Sequence, residues 1–421
     1  MRAEKDYNFI DAVVETLRPR ARRLVDSVRE IDYRKANDFI YDAEPLRRID
    51  PRRIILRKAM VDTEFFKEIV RPALYWLYNG DFEIIHDVSL DYLKKFPFVA
   101  EELAPLFDSP NLHIRVDGKS VMPFGNAEGF DKNAVAIRSL SNLFGIVMFG
   151  TVPVNQRKGN SKPRIETDEI QKTIYNALGF PTEGLDRVVR NARQYKRHEA
   201  NAVLLGSICG IPDEKGIETA YRELEKLATE LAPYVDGFIW NPASPNTYSL
   251  PLLRKYDVAK RSAEIISKNS KGKLLVKIPP YENDVCRQET LSFVKGFLDG
   301  GGNGVVAVNT LKTSYQIGEN KFSGLSGSNL GRFRQKAIKD IREEFGKDIF
   351  LIAEGGIIEE SGEQAFNAFG AGANAIAGYT GMVFNGFGVI PQMARGLERM
   401  LNKKGYKTLT EFQESIGLKA A

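Results

Sequence analysis

From about residue 112 the chain repeats one pattern: a short apolar run, a loop rich in Gly, Asn or Pro, a helical stretch, then another apolar run. Eight such runs are legible: Val121–Asn126, Gly145–Val152, Ala202–Ile208, Gly237–Asn241, Leu274–Ile278, Gly304–Asn309, Ile349–Ala353 and Ala375–Tyr379. Strands that alternate with helices pair in parallel through right-handed crossovers. Eight units over roughly 280 residues match a closed (β/α)8 barrel in count and size. The predicted class is therefore α/β, a (β/α)8 TIM barrel with an N-terminal helical extension. An open doubly wound sheet is the alternative; it is weakened because no GxGxxG follows the first strand.

Ahead of the barrel two segments differ in kind. Residues 1–63 read as an amphipathic helical extension of unknown role, with Ile10, Val13, Val14, Leu17 and then Leu24, Val28, Ile31 at three-to-four spacing. Arg18 to Arg23 breaks these helices, and Glu44 to Pro51 reads as a connector. Residues 64–105 carry a helical hairpin richer in aromatics than its length needs. Asn79-Gly80 ends its first arm and Asp81 opens the second. One reading is a lid packed on residues 106–421; the other is a surface that touches a membrane and guides a lipid-like molecule.

In a barrel, chemistry sits where strands end, and here the ends are polar. The fourth run stops at Asn241-Pro242-Ala243-Ser244-Pro245-Asn246-Thr247, since proline cannot donate to a sheet ladder. Two carboxamides, two hydroxyls and no charge suit a planar polar ligand, with one hydroxyl free for proton transfer. The other ends hold Gly129 to Asn133, Thr151, Asn309-Thr310, Glu354-Gly355-Gly356 and Tyr379-Thr380. Asn176 joins Asn241, Asn246 and Asn309 as a fourth amide able to donate and accept. Glycines after the late strands suit a phosphate at backbone N–H groups. Lys277, within a strand, needs a negative or electron-rich partner if it points inward. Lys132 stands next to Asp131, an ion pair in the plainest reading.

Composition narrows the class. The formal charge is +5, and the first 60 residues hold 15 Lys and Arg against 11 Asp and Glu. Both signs interleave, which argues for solvated charge rather than a nucleic-acid footprint. Two cysteines give no disulfide framework and fit a reducing compartment. Three histidines offer no metal-ligand spacing. No apolar run reaches the roughly 18 residues of a membrane span, and no signal-peptide core opens the chain.

Taken together, several motifs resemble dihydroorotate dehydrogenase across about residues 65–400. They are Asn126 to Asn133, Lys158 to Arg164, Asn176 to Phe180, Asn241 to Thr247, Lys277 to Pro280, Asn309-Thr310, Gly324 to Gly327 and Tyr379-Thr380. The family's soluble class uses a cysteine base and its membrane-associated class a serine. Ser244 stands at that position, so the resemblance is to the serine-base, quinone-linked class, whose hairpin forms a quinone entrance. The resemblance implies FMN as cofactor, dihydroorotate and orotate as substrate and product, and no nucleic acid. It places the chain on the cytoplasmic side of a membrane, peripherally through the 64–96 hairpin, or soluble in the cytoplasm.

By that resemblance Ser244 takes the C5 proton of dihydroorotate while the C6 hydride passes to FMN. Lys132, Asn176, Phe180, Asn241, Asn246, Asn309 and Thr310 hold the substrate. Ala127, Gly129, Lys132, Thr151, Asn241, Lys277, Ser326, Gly327, Gly355, Gly356, Tyr379 and Thr380 hold the flavin, with Lys277 favouring its reduced form. The sequence departs from the family at Glu128, usually Ala, and at Leu204 to Ser207, where an Asn–x–Gly–Lys run is usual. It departs also at Pro181, Ser323, Glu166 and Thr167, the last pair replacing an aromatic and an arginine near the quinone mouth. Those departures keep two alternatives open: a related flavin barrel with another cyclic amide or another acceptor, and a non-catalytic ligand-binding barrel.

Overall fold

The computed structural model describes residues 51–195, 202–214, 216–357 and 361–418, with side chains from residue 56 onward. The helices read from Ile10 to Ile31 lie outside those residues. The connector read at Glu44 to Pro51 gives way at Pro51 to a helix, Pro51–Val61.

Eight parallel strands close into a barrel. They are β1 (Phe124–Asn126), β2 (Ile146–Val152), β3 (Val203–Ile208), β4 (Gly237–Trp240), β5 (Leu274–Ile278), β6 (Gly304–Ala307), β7 (Phe350–Glu354) and β8 (Ala375–Gly378). Each pairs with its sequence neighbour, and β8 pairs with β1 through Gly378↔Asn126. The (β/α)8 reading is correct, and the doubly wound alternative is excluded by closure. These strands are apolar on both faces because side chains fill the barrel inside and helices cover it outside. Trp240 shows the packing: it is fully buried and stacks on Phe297 at 5.7 Å between centroids.

Among the described residues six further strands lie outside the barrel, a feature the count of eight missed. Ile114–Val116 and Lys119–Val121 form an antiparallel hairpin just before β1. A four-stranded antiparallel sheet combines Leu311–Thr313, Ser323–Gly327, Thr173–Asn176 and Ile165–Asp168. Its strands are three to five residues long and mostly polar or small, so no apolar run announced them. The sheet stitches the loops after β2 and β6 together and roofs one side of the barrel mouth.

The hairpin ahead of the barrel forms as the residues dictate. Its first arm runs from Thr63 to Leu77 and includes a wide turn over Phe66–Val70. Asn79 and Gly80 take left-handed φ of 51° and 72°, ending that arm. Asp81 caps the second arm, Phe82–Lys95, by accepting from the Ile84 amide at 3.1 Å. A third helix, Pro97–Phe107, follows. The arms share a small core of Phe65, Val70, Leu74 and Ile85. Arg164, buried at the start of the roof sheet, grips Glu83 of the second arm through two nitrogens at 2.6 and 3.1 Å. That pairing fixes the hairpin over the mouth.

Candidate active site

A cleft of about 1140 Å³, open mouth included, occupies the C-terminal end of the barrel. Its walls come from the ends of seven strands, the roof sheet and Phe82 of the hairpin. Every residue predicted for the site lines this one cleft: Ala127, Gly129, Lys132, Thr151, Asn176, Phe180, Asn241, Ser244, Asn246, Lys277, Asn309, Thr310, Ser326, Gly327, Gly355, Gly356, Tyr379 and Thr380.

One wall is uncharged and already wired. Asn241 donates to the Thr151 hydroxyl at 2.7 Å and accepts from Asn309 at 3.1 Å. Asn246 donates to the Asn176 carbonyl oxygen at 2.8 Å, and Asn176 donates to the Gly324 carbonyl at 3.0 Å. The Thr310 amide donates to Asn309 at 2.7 Å. Each carboxamide is thus oriented by one or two bonds and retains capacity for a ligand. Half-buried Ser244 sits on the loop between these amides, its oxygen accepting from the Asn246 amide at 3.4 Å. Among the described residues neither a carboxylate nor an imidazole is hydrogen-bonded to it. Three residues on, the Thr247 hydroxyl is buried with no hydrogen-bond partner among the described residues. Phe180 reaches the cleft because Gly179 and Phe180 both turn with positive φ, 70° and 59°.

The floor is charged. Lys277, central in β5, points inward and is buried. Its ammonium pairs with Glu128, just after β1, and with Glu354 at the end of β7 at 2.6 Å. Burial works against the ammonium, but the two carboxylates outweigh it and raise its pKa. Burial, with the neighbouring Glu128 charge, pushes the Glu354 carboxyl up to about 7 despite Lys277. Glu354 was read only as a strand end and Glu128 only as a departure. Nothing in their spacing, 226 positions apart, announces a shared lysine.

Lys132 stands half-buried at the mouth. Burial lowers its pKa, while Asp87 and Glu83 of the hairpin favour its charged form. The ion pair with Asp131 is not what forms. Asp131 is fully buried and accepts instead from the Val135 and Ala136 amides at 3.0 and 2.8 Å, holding the turn that presents Lys132. Beside this turn His86 packs edge-on against Phe130 at 5.3 Å and meets the Tyr379 hydroxyl at 3.4 Å. Burial drives its pKa down to about 3, so the ring is neutral.

The opposite side of the cleft suits a phosphate. Gly356 has φ of 68°, and a Cβ there would come within 2.4 Å of the Gly331 nitrogen. Only glycine lets the turn after β7 sit against the start of the helix Gly331–Phe345. The Thr380 hydroxyl donates to Ser326 at 3.2 Å, tying the turn after β8 to the roof sheet. Neutral amide edge, lysine-bearing floor and glycine-built turn together fit a flat heterocycle carrying a phosphate, which is the shape and polarity of FMN.

Fold and site thus define a barrel oxidoreductase built around a flat, phosphate-bearing cofactor and an amide-edged substrate. The profile of the dihydroorotate dehydrogenase family matches residues 115–401. A relative from Nitratiruptor sp., named dihydroorotate dehydrogenase (quinone), is 32% identical over 354 residues, covering 81% of this chain and 97% of its own. One of the same name from Christiangramia forsetii is 29% identical over 81% of this chain and 99% of its own. The crystal structure of the Eimeria tenella enzyme in complex with ferulenol superposes with a TM-score of 0.67 at 25% identity, over 79% of this chain and 94% of that one. The chain belongs to the dihydroorotate dehydrogenase family.

Proposed function

We propose that this protein oxidises dihydroorotate to orotate in pyrimidine biosynthesis, with FMN as cofactor and a quinone as electron acceptor. The observation that carries the site assignment is the single cleft in which Ser244, Lys132 and four oriented asparagines converge. Bound FMN supplies the two-electron acceptor. The protein supplies everything else. Asn176, Asn241, Asn246, Asn309 and Thr310 meet the ring amides of the substrate, and Lys132 its carboxylate. Ser244 removes the C5 proton. A serine is a weak base at its ordinary pKa, so the proton must leave through a partner in a site closed to water. Thr247, three residues further along, is the other hydroxyl of that loop, buried and without a hydrogen-bond partner among the described residues.

Orotate's planar amide edge matches the neutral wall, because an amide-lined site rejects ligands that leave its donors unpaired. Among the described residues no helix is long and apolar enough to cross a membrane. Exposed Trp76, Ile84, Phe96 and Phe98 lie on the hairpin and the helix after it, and support a peripheral contact with a membrane face. Glu166 and Thr167 on the roof sheet make the acceptor the point to test. Full-length protein is loaded with FMN and reduced anaerobically by dihydroorotate, then reoxidised in parallel by quinone, fumarate and NAD. Bleaching by dihydroorotate and fastest return with quinone is the expected result. No bleaching would overturn the substrate, and faster return with fumarate or NAD would overturn the acceptor.

A further inference from the structure

The floor of the cleft holds more acid than base. Lys277 is shared by Glu128 and Glu354, with side-chain exposures of 6%, 2% and 9%. Fully ionised, the cluster keeps one negative charge without a partner, and Glu128 Oε1 has no hydrogen-bond partner among the described residues. A buried uncompensated charge is costly, and a proton relieves it most directly. The groups acting on the Glu354 carboxyl are Glu128, from the segment after β1, and Lys277, from β5. Lys132 and Tyr379 line the same cleft.

Resting on the function proposed above, we propose that this cluster is a redox-linked proton acceptor: Glu354 binds one solvent proton when FMN in the cleft gains two electrons. The balance closes. Dihydroorotate gives its C6 hydrogen with two electrons to the cofactor, and its C5 proton leaves through Ser244. Separately, a solvent proton forms an O–H bond on the Glu354 carboxylate, and the cluster passes from net −1 to neutral. Reoxidation by the acceptor releases that proton. The physical drive is like-charge repulsion: negative charge gained in the cleft disfavours a second buried negative charge. Lys277 brings one positive charge against two carboxylates, so negative charge gained by the cofactor falls on a floor already one charge short. Glu354 is the carboxyl that burial and Glu128 push toward the protonated form.

The test is potentiometry of FMN-loaded full-length protein, reduced chemically against reference dyes across neutral pH. One further proton per two electrons steepens the midpoint potential by about 30 mV per pH unit. Wild type is expected to show that extra slope near and above neutrality, and Glu354→Gln to lose it. Equal slopes would overturn the inference. If Glu354→Gln fails to hold FMN, reduced-minus-oxidised infrared spectra of the wild type decide instead. A new carboxylic-acid carbonyl band on reduction supports the proposal, and its absence overturns it. Protein that binds no FMN would overturn the functional reading and this inference together. FMN-loaded protein with the steep slope, but no bleaching by dihydroorotate, would overturn the functional reading alone.

Discussion

The two faces of the cleft are built on opposite principles. The amide wall, from Asn176 to Thr310, carries no net charge and is oriented by internal hydrogen bonds before any ligand arrives. The floor carries three charges, and its balance closes only when a proton or a ligand joins it. A neutral wall selects by geometry, since a wrong ligand leaves amides unpaired. A charged floor acts by electrostatics, and its state moves with pH and with the charge of what is bound.

The comparison can be broken most sharply at Ser244. Ser244→Ala is expected to slow flavin reduction by roughly 10²–10⁴-fold, the usual range for a general base, with orotate binding retained. Stopped-flow bleaching and orotate titration read the two effects separately, and unchanged bleaching removes Ser244 as the base. On the floor, Lys277→Met strands two buried carboxylates. Breaking a buried pair from one side costs about 3–5 kcal/mol, measurable as a lower unfolding midpoint. Adding Glu128→Ala and Glu354→Val should restore much of it; no recovery would mean the lysine's role is not charge balance.

A pH profile sharpens the contrast further. The folded pKa of Glu354 lies above its ordinary 4.5. Its contribution to stability is therefore present below about 4.5 and lost as pH rises through about 7, on the order of 3 kcal/mol. His86 runs the other way. Its pKa falls from 6.5 to about 3, so its contribution is present above 6.5 and lost as pH falls toward 3. Glu354→Gln should flatten the neutral limb of a melting-temperature profile, and His86→Gln the acid limb. On the amide wall, Asn246→Ala leaves the Asn176 carbonyl oxygen without its donor. It should weaken orotate by about 1–3 kcal/mol, with little change in the pH profile. The smallest effect is at the surface: Trp76→Ser should move stability by no more than about 0.5 kcal/mol while reducing retention on lipid vesicles. Equal retention would leave the hairpin as a lid.

The barrel and the amide wall were legible because their signals are local. A strand announces itself by a short apolar run, and the rim residues follow directly after such runs, as Asn241 follows Trp240 and Asn309 follows the β6 segment. The roof sheet was not legible, since Thr173–Asn176 and Ser323–Gly327 have neither length nor apolar alternation. Lys132 shows a local guess failing. Asp131 was its nearest acid in sequence, yet Asp131 is held by two backbone amides, and the hairpin's Asp87 and Glu83 act on the lysine more strongly.

The sequence by itself determined the number of barrel strands, the order of rim segments and the identity of the serine and amides, because each is written within a few consecutive residues. Tertiary structure alone decided that Glu128, Lys277 and Glu354 share one buried site. They come from the turn after β1, from β5 and from β7, and only closure of the barrel points their side chains at a common axis. A charge cluster assembled across a barrel has no spacing rule, since its members are joined by burial and Coulomb attraction rather than by the chain.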